Sequence, residues 1–216
     1  MQKIALIVAG GIGKRMNAAI PKQFLLLNEA PILIHTLKKF SHFEEIFLVL
    51  PDTQFDNWHS LCKTYNFTLK HTLVAGGETR FHSVKNGLGK VNDESIVAIH
   101  DGVRPLVSKS LITRLISQTK DGIGVLPVVS VKDSIRKLDG GNSTHIDRSN
   151  LYNVQTPQCF ISSNIKNAYA QEFSETFTDD ASVFERNGGK ITTIFGEERN
   201  LKITTEEDLK IAKVLV

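Results

Sequence analysis

Short runs of aliphatic and β-branched residues recur along the chain, separated by segments of helix length. The runs predict strands at residues 4–8, 46–50, 72–74, 96–99, 123–131 and 191–195. Apolar residues at helical spacing predict helices at residues 31–40 and 55–65. Strands separated by helices pair in parallel through right-handed crossovers. The pattern therefore predicts an α/β protein with a mostly parallel sheet, whose first strand is apolar enough to be buried on both faces.

Two further helix starts carry capping residues near the end of the chain. Thr178 is the predicted N-cap of one helix, and Asp179 and Asp180 follow in its first turn. Carboxylates there interact favourably with the helix dipole, so they need no functional explanation. Thr204 and Glu207 have the spacing of a capping box at the start of the last helix.

The composition indicates a single domain. The chain has 216 residues and a mass of 24.0 kDa, and no linker rich in Pro, Gly or Ser divides it, so we expect one domain over residues 1–216. A formal net charge of +3, with both signs spread along the chain, favours a polyanionic small molecule over a nucleic acid. Cys62 and Cys159 lack metal-site spacing, and no apolar run is long enough to span a membrane. We therefore expect a cytoplasmic protein with free thiols.

A glycine-rich segment follows the first predicted strand. Its small residues are Ala9, Gly10, Gly11 and Gly13, and the cations after them are Lys14, Arg15 and Lys22. Glycines let a ligand approach backbone N–H groups that a side chain would shield. A strand that runs into such a turn, with fixed positive charge beside it, is a candidate phosphate-binding loop.

Two familiar phosphate-binding loops do not fit this segment. The P-loop pattern needs glycine where Val8 stands and a hydroxyl where Arg15 stands. The dinucleotide fingerprint needs a small residue at Met16. The remaining interpretation is a glycine loop that passes a phosphate chain to Arg15 and Lys22. The alternative is an ordinary strand-to-helix turn with solvated basic residues.

Polar residues also follow the third and fourth predicted strands, at the sheet edge where open α/β proteins bind ligands. A second glycine turn at Gly76 opens a helix that begins with Arg80 and Ser83. Asp101 ends the fourth strand and is placed to hold a divalent metal or a ribose hydroxyl. The alternatives are a turn-forming Asp101, a solvated Arg104 and a half-buried His100.

The segment after the fifth strand differs from the rest of the chain. Two strand-like arms over residues 131–155, joined by a glycine turn at 139–142, predict a β-hairpin that leaves the sheet. An arm with two polar faces has no core of its own and needs a surface to pack against. A second subunit is a reasonable candidate.

Eight motifs, in order and over essentially the whole chain, carry a resemblance to a known family. They read AGGIGKRM with PKQF, GGETRFHSV, HDGVRP, KDSIRK, TPQCF, TDDAS and NLKITTEEDL. The chain resembles the bacterial 2-C-methyl-D-erythritol 4-phosphate cytidylyltransferases of the non-mevalonate isoprenoid pathway. The resemblance implies a Rossmann-like nucleotidyltransferase fold with helices on both faces of the sheet. It also implies a homodimer clasped by a β-arm at about 132–155, and transfer of CMP from CTP with Mg²⁺.

The resemblance assigns roles to residues by matching positions. Those at the reacting centre, where they hold phosphates, are Arg15, Lys22 and Lys202. Those around the nucleotide are Ala9, Gly10, Gly11, Gly13, Gly76, Arg80, Ser83 and Asp101. Asp101 also matches the metal ligand. The positions that hold the phosphorylated polyol are Ser134, Arg148, Thr156 and Arg104, with Arg148 reaching from the partner's arm.

The chain departs from the family pattern at two positions. Val8 stands where the family often has proline, and Ser134 where it often has threonine. The backbone donors and a hydroxyl survive both changes. The ribitol-5-phosphate cytidylyltransferases are similar through the nucleotide half and remain an alternative. A non-catalytic nucleotide-binding module is a more distant alternative, against which Lys202 and Arg148 argue.

Overall fold

The structure is a computed structural model that describes residues 1–10 and 20–216. Three residues of the predicted phosphate loop, Gly11, Gly13 and Arg15, lie outside the described residues. Lys14 and Met16 lie outside them as well. Of the glycine residues and alanine assigned to this loop, the structure describes Ala9 and Gly10, at its start.

The described residues form strands and α-helices in alternation. The strands are β1 (Gln2–Val8), β2 (Leu26–Leu27), β3 (Ala30–Pro31), β4 (Glu45–Leu50), β5 (Thr72–Ala75), β6 (Ser95–Asp101), β7 (Ile123–Ser130), β8 (Ile135–Asp139), β9 (Asn142–Ile146), β10 (Tyr152–Val154), β11 (Gln158–Ile161) and β12 (Lys190–Phe195). The helices are α1 (Ile32–Lys39), α2 (Phe55–Thr64), α3 (Arg80–Leu88), α4 (Lys109–Gln118), α5 (Ser162–Ala168), α6 (Asp180–Arg186) and α7 (Glu206–Leu215). All six predicted strands and both helices predicted from apolar spacing are present.

The central sheet is mostly parallel, as predicted. β6, β1, β4 and β5 lie side by side and run in the same direction. β11 joins the other side of β6 in the antiparallel direction, and β7 follows it. Val125 of β7 pairs with Cys159 on one side and Thr192 on the other, so the parallel strand β12 forms that edge of the sheet.

Helices cover both faces of the sheet because successive residues of a strand point to opposite sides. Ala5 and Ile7 belong to a core cluster with residues of α1, α2 and α4, including Trp58. Ile4 and Leu6 belong to a second cluster with residues of α3, α5 and α6. This arrangement explains why β1 is apolar at nearly every position, and it confirms the predicted layers. None of the helices in the described ranges is long and apolar enough to cross a membrane.

The predicted hairpin is present and stands apart from the sheet. β8 and β9 form a separate two-stranded sheet, and β10 then returns the chain to β7. Gly140 and Gly141 join the two strands with φ values of +51° and +88°, the backbone that a tight two-residue hairpin turn requires. Most of this β-arm is exposed, including Leu138 at 76%.

Both predicted capping residues are wrong by one position. Asp179, not Thr178, caps α6, and it exchanges hydrogen bonds with Ser182 in a capping box. Thr205 and Asp208 form the capping box of α7. An N-cap is the last residue with an extended backbone before the helix, and neighbouring Thr and Asp residues satisfy that preference almost equally well.

Candidate active site

The site is built at the carboxyl ends of three parallel strands. Backbone hydrogen bonds fix the residues that follow them: the amide of Gly102 donates to Val8, and the amide of Gly76 donates to Leu50, each over 2.8 Å. A Cβ atom on Gly102 would lie 2.7 Å from the Cβ of Ala9. The start of the glycine loop therefore lies directly against the end of β6, where Asp101 stands.

Ser83 brings the two glycine turns together. Its hydroxyl accepts a hydrogen bond from the amide of Gly77 over 3.0 Å. Cβ atoms placed on Gly10 and Gly76 would lie 3.3 and 3.2 Å from the same hydroxyl. Gly10, Gly76 and Ser83 are thus neighbours, as their shared assignment to the nucleotide requires.

Lys22 lies in a short 3₁₀ turn, Lys22–Phe24, just beyond the undescribed part of the loop. The buried side-chain amide of the next residue, Gln23, donates to the carbonyl of Ala9 over 2.9 Å. This bond ties the turn to the first residue of the glycine loop, so Lys22 lies on the same side of the sheet edge as Ala9.

Three cationic side chains surround the carboxylate of Asp101. Arg80 Nε lies 3.6 Å from its Oδ1, while Arg104 Nε and Lys202 Nζ lie 3.3 and 3.0 Å from its Oδ2. Burial by itself would raise the pKa of Asp101, but the positive charges of Arg80, Lys202 and Arg104 outweigh it and hold the pKa below its usual value. The carboxylate is therefore ionised at any physiological pH. Arg104 is buried rather than solvated.

Arg80 has a second carboxylate partner that the sequence did not indicate. Its two terminal nitrogens donate to the two oxygens of Asp180 over 2.8 and 2.7 Å. Tyr169 also donates to Asp180, over 2.6 Å. Burial would lower the pKa of Arg80, but the charge and hydrogen bonds of Asp180 raise it well above its usual value. Asp180 therefore does more than favour a helix dipole, because it fixes the guanidinium that faces Asp101.

A network of buried hydrogen bonds holds the backbone at Asp101 in place. Its amide donates to the hydroxyl of Thr156 over 3.1 Å, and this hydroxyl lies 3.0 Å from Nδ1 of His100. His100 is fully buried, so the alternative of a half-buried ring is wrong. Burial lowers the pKa of His100 to about 4. Asn200, which the sequence did not single out, donates to Thr156 and accepts from Arg104, each over 2.8 Å.

A cavity of about 270 Å³ opens beside this cluster. Its lining residues are Arg80, Asp101, Arg104, Val154, Gln155, Thr156, Gln158, Thr178, Asp179 and Lys202. Five of them were predicted as site residues. Gln158 and Thr178 were missed as site residues, since a lone Gln or Thr carries no sequence signal of its own.

Two predicted site residues lie elsewhere in the single chain. Ser134 precedes β8 and Arg148 follows β9, both are exposed, and neither lines the cavity. Arg148 donates to the carbonyl of Lys132 within the arm. A single chain therefore leaves these two side chains on the β-arm.

The donor set fits a magnesium ion that is held partly by a substrate. The described residues contain no group of three His, Cys, Asp or Glu side chains placed to hold a metal. Asp101 is an ionised carboxylate at the edge of the cavity, and Mg²⁺ is commonly bound by one or two carboxylates together with substrate phosphates and water. A triphosphate would supply the oxygens that the protein lacks.

The family model of 2-C-methyl-D-erythritol 4-phosphate cytidylyltransferase matches residues 3–216 of this chain. The chain belongs to this family. The curated relative from Bacteroides fragilis is 47% identical and the one from Azobacteroides pseudotrichonymphae 48% identical, over 100% of this chain and at least 99% of each relative. Both are named as 2-C-methyl-D-erythritol 4-phosphate cytidylyltransferases.

Solved structures confirm the nucleotidyltransferase fold. The 2-C-methyl-D-erythritol 4-phosphate cytidylyltransferase of Francisella tularensis aligns with a TM-score of 0.83 at 30% identity and covers both chains completely. The enzyme of the same name from Thermus thermophilus aligns with a TM-score of 0.81 at 28% identity, covering 100% of this chain and 98% of the other.

Family membership also gives the reaction. This cytidylyltransferase transfers CMP from its co-substrate CTP to 2-C-methyl-D-erythritol 4-phosphate in isoprenoid precursor biosynthesis, forming 4-diphosphocytidyl-2-C-methyl-D-erythritol and pyrophosphate. The chain is therefore an enzyme rather than a non-catalytic nucleotide-binding module. The match also decides against the ribitol-5-phosphate alternative.

Proposed function

We propose that this cytidylyl transfer takes place in the cavity beside Asp101. The observation that carries the proposal is the convergence of Arg80, Arg104 and Lys202 on one buried carboxylate at the carboxyl edge of the sheet. Open α/β sheets bind ligands at this edge. A reaction between two anions needs a concentration of positive charge, and the cavity has one.

The chemistry is an in-line displacement at phosphorus. A phosphate oxygen of methylerythritol phosphate attacks the α-phosphorus of CTP, and the bond from that phosphorus to the bridging oxygen breaks, so pyrophosphate departs. A phosphate dianion is already a nucleophile near neutral pH, so no general base is required. The protein contributes alignment and neutralisation of charge.

The glycine loop and its cations hold the triphosphate in this proposal. Arg15 and Lys22 bind phosphate oxygens whose negative charge grows in the transition state, and Lys202 contacts the same charge from the other side. Ala9, Gly10, Gly11 and Gly13 supply backbone donors. Support comes from the Gln23 bond to Ala9, which keeps the turn of Lys22 beside the loop.

Gly76 and Ser83 form the cytosine side, with Arg80 between the base and Asp101. The close approach of Ser83 to both glycine turns supports this, because it brings residues that the resemblance assigns to the nucleotide to one place. Arg104 and Thr156 border the polyol side of the cavity. Ser134 and Arg148 complete that side from a second subunit.

Asp101 holds a magnesium ion together with phosphate oxygens of CTP. Such an ion, when bound, adds positive charge to the phosphoryl oxygens and favours attack at phosphorus. The low pKa of Asp101 supports this role, because a metal ligand must be deprotonated.

The active form is a homodimer joined through the β-arm. The arm exposes both of its faces and carries Arg148 away from its own cavity, which supports a partner subunit as the destination.

The chain folds as one domain over residues 1–216, since a single sheet connects its core clusters. We place the enzyme in the cytoplasm, where its two thiols stay reduced.

One incubation tests the site and its selectivity. The enzyme is mixed with Mg²⁺, CTP and either methylerythritol phosphate or ribitol phosphate, and pyrophosphate is measured. With CTP, we expect rapid release of pyrophosphate when methylerythritol phosphate is the acceptor, and no rapid release when ribitol phosphate is. With methylerythritol phosphate, release from CTP should exceed release from UTP, ATP or GTP. Asp101→Asn should abolish it, whereas Asp93→Asn, which removes a carboxylate that is 69% exposed at the opposite end of β6, should not. Full activity of folded Asp101→Asn would contradict the proposed site.

A further inference from the structure

Arg80 lies between two carboxylates that use different edges of its guanidinium. The terminal nitrogens form a fork on Asp180, with both bonds shorter than 3 Å. Only Nε faces Asp101, and at 3.6 Å it makes an ion pair rather than a hydrogen bond. Arg80 is therefore hydrogen-bonded to Asp180, and its contact with Asp101 is only a longer ion pair.

Asp180 is held in place from behind. Its side chain is fully buried, and the hydroxyl of Tyr169 donates to the same oxygen that accepts from Arg80 Nη1. The Tyr169 ring stacks on Phe81 with 4.7 Å between centroids, and Phe81 is the helical neighbour of Arg80. Helices α3 and α6, together with the residue that follows α5, thus fix the direction from which the fork of Arg80 is bound.

The Arg80 side chain is 30% exposed, so water only partly solvates its guanidinium, and loss of one carboxylate favours pairing with another that is within reach. Asp101 is already in contact with Arg80 and is the alternative partner. Asp101 Oδ2 is already contacted by Arg104 and Lys202, so Oδ1 is its less crowded oxygen. A fork of Arg80 on Asp101 would occupy that oxygen too.

We propose that Asp180 is a positioning residue, anchored by Tyr169, that holds the fork of Arg80 off Asp101 and keeps an Asp101 oxygen available to the metal–triphosphate complex. This inference rests on the proposed role of Asp101 as the metal ligand. Asp180 therefore has a function beyond its place in the first turn of α6. The position of the Arg80 guanidinium then affects metal binding as much as its charge does.

The test measures metal binding without turnover. Mn²⁺ is titrated into the enzyme with CTP and no second substrate, and free Mn²⁺ is read by electron paramagnetic resonance. The Mn²⁺ that the same concentration of CTP binds without enzyme is measured separately and subtracted. Asp180→Asn should weaken Mn²⁺ binding by about tenfold, the size expected for one rearranged buried charge pair. Arg80 is also proposed to contact the nucleotide, so the single variant Arg80→Gln is the reference here. Adding Asp180→Asn to Arg80→Gln should not weaken Mn²⁺ binding further, because no fork is left to occupy Asp101. Asp93→Asn is the matched control and should bind Mn²⁺ normally.

A crystal structure of Asp180→Asn reads the cause directly, and we expect both terminal nitrogens of Arg80 within hydrogen-bond distance of Asp101. An Arg80 that stays on residue 180, or a loss of Mn²⁺ affinity on Asp180→Asn that is equally large in the Arg80→Gln background, would overturn the inference alone. If Asp180→Asn does not fold, Tyr169→Phe keeps the ring stack and should weaken Mn²⁺ binding in the same direction; unchanged binding there counts against the inference. Wild-type binding that is insensitive to Asp101→Asn would overturn the metal proposal and this inference together.

Discussion

Lys202 Nζ lies 3.0 Å from Oδ2 of Asp101, and this pair joins two distant parts of the chain. Asp101 ends a central strand, whereas Lys202 lies in the extended segment before α7. The backbone is tied at the same place, since the amide of Ile203 donates to the carbonyl of Val103 over 3.0 Å. The side chain of Lys202 is 40% exposed, so its ammonium group can face both Asp101 and a ligand in the cavity.

Loss of the Lys202 charge should slow the reaction strongly. We expect Lys202→Ala to lower kcat/KM by about 100-fold, because one charge-assisted contact to the transition state is lost. Steady-state kinetics with CTP and methylerythritol phosphate measures this. Lys210→Ala on α7, which removes a lysine that is 75% exposed, is the control and should be neutral. Equal activity of the two variants would remove Lys202 from the reacting centre.

The triphosphate clamp makes a similar prediction for Arg15 and Lys22. Alanine at either position should lower kcat/KM by about 100-fold or more, equivalent to about 3 kcal/mol, because both side chains are proposed to contact growing negative charge. Lys38→Ala, an exposed lysine of α1, serves as the control. Turnover near the wild-type rate in both clamp variants would contradict the assignment.

The β-arm prediction concerns active sites shared between subunits. Arg148→Ala and Lys22→Ala chains should each have strongly reduced activity alone, because each lacks a cation of the proposed site. After mixing and subunit exchange, a heterodimer has one site with both defects and one with neither, so activity should return. Steady-state rates before and after mixing measure this.

Subunit exchange must be verified before the mixing result is interpreted. Native mass spectrometry of chains with distinguishable masses reports the heterodimer fraction. Heterodimers that form without any return of activity would show that Arg148 serves its own subunit or none. Lys137→Ala, another exposed position on the arm, is the matched control and should remain active without mixing.

Burial of His100 predicts a pH-dependent stability. Its pKa falls from 6.5 in the unfolded chain to about 4 in the folded one, because burial disfavours the charged ring. Between these values the unfolded state binds the additional proton, so the free energy of unfolding should fall as the pH drops from 6.5 toward 4. The loss from this group is about 3 kcal/mol. Below the folded pKa both states are protonated, so His100 causes no further change in the free energy of unfolding.

Urea unfolding at several pH values measures this dependence. His35 and His71, whose pKa values burial also lowers, add to the slope in the same direction. His100→Asn should reduce the slope between pH 6.5 and 4. An unaltered slope in folded His100→Asn would show that this ring does not control the acid limb.

Most of the fold could be predicted from local pattern. The apolar run that became β1 has hydrophobic partners on both faces, and the glycine pair at Gly140 and Gly141 fixed the hairpin turn through its positive φ values. Boundaries were less certain: β6 extends two residues beyond the predicted run and carries Asp101 as its last residue. Hydrophobic periodicity reports burial, and a polar residue at a strand end can be paired without being apolar.

The sequence by itself determined the fold class, the family, and the residue types from which the site is built. Those properties depend on periodicity and ordered motifs, which the chain carries locally. Only the tertiary structure decided that Asp180 binds Arg80, that His100 is fully buried, and that Asn200 links Arg104 to Thr156. These contacts join residues far apart in the chain. Their strength comes from burial and geometry, which exist only once the sheet and helices have packed.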